Sequence, residues 1–343
     1  MMTEENGRDF EKAEDREPKV SVILCFYNEE RYLPEALDSI LSQTYRNLEV
    51  VVINDGSTDG SEAVVRKYME KDERIIYRSH TPNHGLAYAR NRGLETATGE
   101  FAGFFDADDR MLPDKTEKEV RFLLEHPDID VVGGSFYYMD AEGNVQNEPL
   151  KLQCFSDEEI RAFMLYRNAI AVGSALFRRK IITDNGASLD EKNRASEDYG
   201  LWIGLLPKIR LANLNEPVYE YRINHGSKAE GKAKKDPEAF VAEKKRILRK
   251  AWAESGFLTD ENDIDVIYGY IHESRRILSI KDFIQYHRTF GRLRKQAEAI
   301  KTGSPGRRAE RILSCVLFYY KRLHHQAYHL YWIADKLFHF KNP

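Results

Sequence analysis

Phe101-Ala-Gly-Phe-Phe-Asp-Ala-Asp-Asp109 is an apolar run that ends abruptly in three carboxylates, Asp106, Asp108 and Asp109. The run predicts a buried strand, and acids clustered at its end repel one another unless a cation or a cationic side chain neutralises them. Residues i and i+2 of an extended strand point to the same side, so Asp106 and Asp108 are predicted to face one ion. The alternative is an acidic turn that merely ends the strand, because turns favour Asp.

Two further apolar runs also end in polar turns. They are Leu48-Glu-Val-Val-Val-Ile-Asn-Asp-Gly-Ser-Thr-Asp59, and Val20-Ser-Val-Ile-Leu-Cys25 followed by Phe26-Tyr-Asn-Glu-Glu30. In an open parallel sheet, ligands bind outside the carboxyl ends of the strands, so these turns are predicted to border one crevice. Strands are expected near 20–25, 48–53, 74–78, 101–105 and 130–138, with helices between them that include about 34–43 and 86–96. This alternation predicts a doubly wound, Rossmann-like α/β sheet.

Composition excludes several classes of protein. The 343 residues carry a formal net charge of -4, which argues against general nucleic-acid binding. Cys25, Cys154 and Cys315 lie far apart, so the sequence suggests neither a zinc cluster nor a disulfide framework. The first 19 residues are charged and almost free of apolar side chains, which predicts a disordered tail rather than a signal peptide. With no apolar stretch long enough to span a bilayer, we expect a cytoplasmic protein that is soluble or peripheral on the inner membrane face.

Six segments of the chain, taken together and in order, resemble the family 2 glycosyltransferases. The resemblance covers roughly residues 20–225, and the segments are Val20-Ser-Val-Ile-Leu-Cys-Phe-Tyr-Asn-Glu29, Ser39-Ile-Leu-Ser-Gln-Thr44, Val51-Val-Ile-Asn-Asp-Gly-Ser-Thr-Asp59, Gly85-Leu-Ala-Tyr-Ala-Arg-Asn91, Phe105-Asp-Ala-Asp-Asp109 and Glu197-Asp-Tyr-Gly-Leu-Trp202. The resemblance implies a GT-A fold that binds a nucleotide sugar, most simply a UDP-sugar. It names neither the donor sugar nor the acceptor.

For the nucleotide, the resemblance assigns Asp55 to the uracil N3–H, which an acceptor-only carboxylate recognises well. The residues expected around the base and ribose are Cys25, Tyr27, Asn28 and Glu29, with Tyr27 lending an aromatic face. The last two could instead simply begin the following helix. Arg90 is expected either to face the nucleotide or diphosphate, or to lie on the helix surface paired with an acid.

The resemblance also implies a divalent cation, Mn²⁺ or Mg²⁺, because the leaving group is a nucleoside diphosphate whose developing charge a Lewis acid stabilises. Oxygen ligands suit these ions better than zinc. The expected ligands are Asp108 first and Asp106 next, with Asp109 third. Asp106 could instead bind the ribose or donor sugar, and His225 either completes the metal or diphosphate site or lies in an exposed loop.

By the same resemblance, Asp198 is expected in the position of the general base that an inverting transfer requires. Alternatively, Asp198 and Glu197 are simply acids in the first turn of a helix, where their negative charges interact favourably with the helix dipole. Trp202 is expected to pack in the core. The small-residue segment Asn168-Ala-Ile-Ala-Val-Gly-Ser-Ala-Leu-Phe177 either walls the acceptor side or packs tightly against the sheet.

Three regions are therefore expected: a tail at 1–19, a GT-A catalytic domain at 20–226 and a helical C-terminal extension at 227–343. Apolar and aromatic residues recur at helical spacing in 307–343, and residues 301–343 carry eight Lys or Arg against two acids. Such a helix could contact an anionic membrane, pack on the catalytic domain or form a homodimer.

The predicted activity is inverting, metal-assisted transfer of a hexosyl or N-acetylhexosaminyl group. The donor is a nucleotide sugar, and the acceptor is a hydroxyl of a saccharide or lipid-linked saccharide in surface polysaccharide or glycoconjugate synthesis. Alternatives are a haloacid-dehalogenase-like phosphatase, a sugar nucleotidyltransferase and a catalytically silent saccharide-binding module. The phosphatase pattern expects Thr or Val two residues after the second Asp, whereas Asp109-Arg110-Met111 follow here.

Overall fold

The computed structural model describes residues 16–193, 195–223, 235–271 and 280–303. The expected tail up to residue 15, His225 and the basic aromatic stretch at 307–343 lie outside these ranges, so their predicted roles stay predictions. Within the described ranges, no helix combines the length and apolar character that a bilayer crossing requires.

Secondary structure alternates as the sequence predicts over the first 140 residues. The strands are β1 Val20–Phe26, β2 Leu48–Asp55, β3 Ile75–His80, β4 Phe101–Asp106, β5 Arg110–Met111, β6 Val131–Met139, β7 Leu176–Arg178 and β8 Leu211–Arg222. The helices are α1 Leu33–Leu41, α2 Ser61–Met69, α3 Leu86–Thr96, α4 Lys115–Glu125, α5 Asp157–Phe163, α6 Lys180–Thr183, α7 Glu197–Leu205, α8 Pro237–Glu254, α9 Glu261–Ile271 and α10 Ile280–Gly303. The five predicted strands are confirmed.

The chain forms two compact units that alternate along the sequence. The first contains the described residues of Met1–Lys151, Val172–Gly186 and Leu214–Asn224, and the second those of Leu152–Ala171, Ala187–Asn213 and His225–Pro343. The segments 152–171 and 187–213 thus group with the C-terminal helices. The predicted domain boundary at residue 226 stays a prediction.

The described part of the chain contains one eight-stranded sheet with the order β3-β2-β1-β4-β7-β6-β8-β5. β1 pairs in parallel with β2 and β4, and β2 pairs in parallel with β3. β7 is antiparallel to β4 and β6, and β5 is antiparallel to β8. The sheet is therefore mixed, with a parallel half in which the strand order reverses at β1.

The parallel half is held by burial. Every residue of β1 and β2 is buried, as expected for central strands of a parallel sheet covered on both faces. Helix α1 contributes an apolar stripe at helical spacing, whose buried members are Leu33, Ala36, Leu37 and Ile40. Burial of these apolar side chains stabilises this half of the sheet, whose strand ends carry the candidate site.

The second unit is helical and has its own core. Its first helix, α5, begins with a capping box in which the Ser156 and Glu159 side chains bond each other's backbone N–H. Helix α7 packs on α8, and Trp202 and Trp252 are fully buried. The expectation that Trp202 packs in the core is confirmed.

Candidate active site

The carboxyl ends of three parallel strands meet at one edge of the sheet. In the β-sheet register, Cys25 of β1 lies opposite Asp106 of β4 and opposite Ile53 of β2. Asp55 closes β2 two residues further on. The order of strands reverses between β1 and β4, which is where open α/β sheets bind ligands.

Asp106 pairs with an arginine from the adjoining helix. Helix α3 packs on β1 and β2, and its Arg90 Nη2 lies 2.7 Å from Asp106 Oδ1. The guanidinium carbon also lies 5.4 Å from the centroid of the Phe104 ring. The prediction of a surface arginine was therefore right about an acidic partner and wrong about the location, because Arg90 is buried at the strand edge.

The acidic turn differs from the predicted extended strand. β4 ends at Asp106, and Ala107 and Asp108 form a turn that the Asp109 N–H closes on the Asp106 carbonyl at 3.2 Å. The alternation argument for Asp106 and Asp108 is therefore wrong in its premise. Ala107 and Asp109 are buried, whereas Asp106 and Asp108 are both half-buried, and the prediction that these two face one ion stays a prediction.

Asp109, the third predicted ligand, is buried. Its Oδ1 accepts the Arg222 N–H at 2.8 Å, while its Oδ2 accepts no hydrogen bond within the described residues. Burial, followed by the negative charges of Asp108 and Asp106, raises the pKa of the Asp109 carboxyl well above its usual range. With no cation bound, these effects therefore favour the protonated, neutral form of Asp109.

Arg222 holds the acidic turn at Asp106–Asp109 in place through its guanidinium group. Its Nε donates to the Asp108 carbonyl at 2.7 Å, its Nη2 donates to Glu35 at 2.7 Å, and its Nη1 donates to the Asp140 carbonyl at 3.2 Å. The guanidinium also stacks over Tyr32, 4.5 Å from the ring centroid. Arg222 thus holds the backbone that presents Asp108, a structural role which the sequence did not reveal.

Asp55 is buried and ties down the loop that precedes α3. Its Oδ1 accepts the His84 N–H at 3.0 Å, and its Oδ2 accepts the Gly85 N–H at 2.7 Å. Gly56 has a φ of +77°, and a Cβ there would lie 2.9 Å from the Asn83 nitrogen. If Asp55 binds uracil as predicted, its carboxylate must accept the uracil N–H in addition to the two loop N–H groups.

The turn after β1 is bonded to the turn after β2. The Asn28 N–H donates to Ser57 Oγ at 3.0 Å, and Asn28 Oδ1 accepts the Thr58 N–H at 2.8 Å. The Glu29 N–H donates to a side chain at the start of α2, Ser61 Oγ, at 2.9 Å. Asn28 and Glu29 therefore order the loops, which sequence reasoning had not foreseen.

Cys25 and Tyr27 differ in exposure. The Cys25 thiol is buried, and burial raises its pKa to about 12. Its side chain therefore packs in the core at the strand edge. Tyr27 is 37% exposed, so its ring is available to a ligand.

Gly173, in the predicted acceptor wall, packs against the sheet. A Cβ at this position would lie 2.9 Å from the Tyr219 ring. Gly173 and Ser174 are both buried. The tight-packing alternative therefore describes these two residues.

Asp198 belongs to the second unit, at the start of α7. It is half-buried, its Oδ1 accepts the Tyr199 N–H at 2.7 Å, and its Oδ2 accepts the Asn168 amide at 2.7 Å. Its predicted convergence with Asp55 and Asp108 on one cleft stays a prediction.

The acidic turn has the chemistry of a site for a hard cation. Asp106, Asp108 and Asp109 offer only oxygen ligands, which suit Mg²⁺ and Mn²⁺. In the part of the chain that the structure describes, no three His, Cys, Asp or Glu side chains form a ready-made metal site. Mg²⁺ commonly needs only one or two carboxylates, since phosphates and water complete its coordination. The half-buried Asp106 and Asp108 fit that mode.

Comparison with known proteins agrees with this geometry. Residues 21–186 match the family model described as Glycosyl transferase family 2. An uncharacterized glycosyltransferase of Haemophilus influenzae is 33% identical over 56% of this chain and 74% of its own length. TuaG of Bacillus subtilis, a glycosyltransferase provisionally assigned to teichuronic acid biosynthesis, is 31% identical over 63% of this chain and 84% of its own.

Solved structures share the fold at low sequence identity. S. aureus TarS 1-349, in complex with UDP-GlcNAc, superposes with a TM-score of 0.60 at 20% identity, covering 91% of both chains. The mannosyltransferase PcManGT of Pyrobaculum calidifontis, in complex with GDP-Man and Mn²⁺, gives a TM-score of 0.53 at 18% identity, covering 95% of this chain and 89% of its own. With its mixed sheet, its strand-end carboxylates and these relatives, the chain belongs to glycosyltransferase family 2 and has a GT-A fold.

Proposed function

We propose that this protein transfers a sugar from a nucleotide sugar, a UDP-sugar in the first instance, to a hydroxyl of a saccharide or lipid-linked saccharide, with inversion at the anomeric carbon. The observation that carries the proposal is the set of carboxylates at the ends of the two parallel strands that flank β1: Asp55 ends β2, Asp106 ends β4, and Asp108 lies in the turn that follows β4. The proposed setting is surface polysaccharide or glycoconjugate synthesis, which the name of TuaG supports.

Asp55 is the proposed reader of the base. A carboxylate oxygen has two acceptor positions, so an oxygen that accepts a loop N–H can also accept the imide N–H of uracil. The exposed ring of Tyr27 offers a face for stacking on the same side of the sheet edge. TarS and PcManGT were solved with uridine and guanosine nucleotides respectively, so a test of the donor must include both bases.

Asp106 and Asp108 are the proposed holders of Mn²⁺ or Mg²⁺, as the Mn²⁺ in PcManGT supports. The cation would neutralise charge that develops on the departing diphosphate. Arg90, paired with Asp106, adds a buried positive charge at the same strand edge. Arg222 keeps Asp108 in place through its carbonyl, so the carboxylate is positioned before a ligand arrives.

Asp198 is the proposed general base. It takes the proton of the acceptor hydroxyl as that oxygen bonds to the anomeric carbon. The bond between the anomeric carbon and the diphosphate oxygen breaks, and the diphosphate leaves with the electron pair. Attack from the face opposite the diphosphate inverts the anomeric centre.

The test is a panel of UDP-, GDP- and dTDP-sugars, assayed for release of the nucleoside diphosphate with Mn²⁺, with Mg²⁺ and with EDTA. We expect one UDP-sugar to be cleaved in a metal-dependent reaction, and transfer by Asp198→Asn to fall by about 100-fold or more. Asp108→Asn should lose metal activation. Asp184→Asn, at an exposed site in the first unit, is the matched control and should keep full activity.

Two outcomes would contradict the proposal. Cleavage restricted to GDP- or dTDP-sugars would overturn the assignment of the base while leaving the reaction type intact. Saccharide binding without cleavage of any donor would instead favour a catalytically silent saccharide-binding module.

A further inference from the structure

Asn168 forms a short, charge-assisted contact with Asp198 within the second unit. Its Nδ2 donates to Asp198 Oδ2 at 2.7 Å, across 30 positions of sequence. Hydrogen bonds from neutral donors to an ionised carboxylate are stronger than neutral pairs and favour the charged form of the acid. Asn168 therefore acts on the group proposed as the general base.

The orientation of the Asn168 amide is determined by its other bond. Its Oδ1 accepts the Ile170 N–H at 3.2 Å, a donor that only the oxygen of the amide can satisfy. Rotating the amide by 180° would bring Oδ1 against the Asp198 oxygen and the NH₂ group against an N–H. The amide therefore has one stable orientation, with its NH₂ group towards the carboxylate.

The segment that carries Asn168 is anchored on both sides. Tyr199, the neighbour of Asp198, donates its hydroxyl to the Met164 carbonyl, and Asn213 Nδ2 donates to the Ala169 carbonyl at 3.2 Å. Tyr199 and Asn213 are buried. Because its own backbone is fixed, Asn168 can hold the carboxylate in one rotamer rather than follow it.

Lys244 on α8 interacts electrostatically with Asp198 on α7. Glu243 and Glu197 also act on Lys244. Burial lowers the pKa of the Lys244 ammonium, and the charges of Asp198, Glu243 and Glu197 oppose that effect. These charges do not choose a rotamer, whereas the directional bonds from Asn168 Nδ2 and from the Tyr199 N–H do.

We propose that Asn168 is a positioning residue for Asp198, whose amide fixes the orientation of the carboxylate that takes the proton from the acceptor. This rests on the proposed function, in which Asp198 is the base. Asn168 acts through Asp198 and need not touch the sugar. This role accounts for an asparagine at position 168, at the start of the small-residue segment 168–177.

The test compares Asn168→Leu, which keeps the branched shape of the side chain and removes the donor, with the smaller Asn168→Ala and with the control Asn185→Leu. Asn185 is a suitable control because its Nδ2 donates to the backbone carbonyl of Ile181 in the neighbouring helix α6. For Asn168→Leu we expect kcat to fall about 10- to 100-fold, as misplaced catalytic groups do. The KM for the donor should change by less than about twofold, because the donor site is unaltered.

The pH profile separates positioning from a general loss of structure. Without the donor the pKa of the base rises, so the acidic limb of the kcat profile should move to higher pH in Asn168→Leu. Asn168→Ala, which is smaller and also removes the donor, should show the same shift if Asn168→Leu fails to fold. Thermal melting identifies the folded variants.

The two proposals fail in different ways. If Asp198→Asn abolishes transfer while folded Asn168 variants keep the wild-type kcat and acidic limb, Asn168 does not position the base. If Asp198→Asn retains activity, the assignment of Asp198 as the base is itself wrong.

Discussion

Arg90 Nη2 and Asp106 Oδ1 lie 2.7 Å apart, with the arginine side chain 2% exposed and the aspartate side chain 28% exposed. The pair joins helix α3 to the end of β4. It brings a buried positive charge to the edge where Asp55, Asp106 and Asp108 gather. Asp106 thus holds the Arg90 guanidinium in place at this edge.

A double-mutant cycle of Arg90→Met and Asp106→Asn should give a coupling free energy of about 1–2 kcal/mol, since residues in direct contact are not additive. Exposure of Asp106 to water keeps the value below that of a fully buried ion pair. Urea unfolding of wild type, both single variants and the double variant measures it. Additivity to within about 0.5 kcal/mol would mean that the pair contributes nothing to the fold.

Asp55→Asn should destabilise the protein by about 1–3 kcal/mol, because an amide can accept only one of the two loop N–H groups and turns a donor toward the other. UDP affinity, measured by titration calorimetry, should fall in the same variant. Asp236→Asn is the matched control: Asp236 caps α8 with one bond, to the Ala239 N–H, and Asn caps equally well. Unchanged stability in Asp55→Asn would contradict the bonding described here.

Glu49 should stabilise the fold at neutral pH more than at low pH. The buried carboxylate accepts hydrogen bonds from Lys19, Ser21 and Thr98, and these bonds, acting against burial, lower its pKa from 4.5 to about 2. A lowered folded-state pKa gives a stabilisation that is complete above the unfolded value and is lost as pH falls from about 4.5 through 2.

In Glu49→Gln, unfolding free energy should therefore drop by up to about 3 kcal/mol at pH 7, with a much smaller difference near pH 2.5. Urea unfolding at both pH values provides the measurement. Glu62→Gln, at a half-exposed helical pair with Arg66, should change little at either pH. A deficit in Glu49→Gln that is equal at both pH values would refute the linkage.

Lys115 and Glu119 form a buried ion pair on α4, with 2.7 Å between Nζ and Oε2. Burial, opposed by the Lys115 charge, raises the pKa of Glu119 to about 7. A raised acid pKa means that stability falls as pH rises from the unfolded value through about 7.

Replacing both residues, Lys115→Met with Glu119→Leu, should leave stability at pH 8 unchanged or raise it by up to about 4 kcal/mol, and should remove that pH dependence. Lys115→Met alone should cost about 3–5 kcal/mol at pH 8, because it leaves a buried charge unpaired. Thermal and urea unfolding from pH 5 to 8 check both. A double variant less stable than Lys115→Met would rule out the explanation.

Much of the parallel half was predictable because its signals are local. Apolar, β-branched runs bounded by polar turns predicted β1 to β4, and α3 spans Leu86–Thr96 as predicted from the glycine signals that flank it. β8 was not predicted, because Leu211–Arg222 contains Pro217 and lacks the regular alternation typical of a strand. Its pairing with β5, a contact between distant parts of the chain, stabilises it as a strand.

Residue types and local spacing were enough to predict the family, the strands that end in acids and the kinds of ligand those acids suit. Tertiary structure alone decided that Arg90 is buried against Asp106, that Asp55 orders the loop at His84 and Gly85, and that Asn168 holds Asp198. Each of those pairings joins residues 16 to 30 positions apart. Strand register and helix packing set such distances, and no local pattern in the chain encodes them.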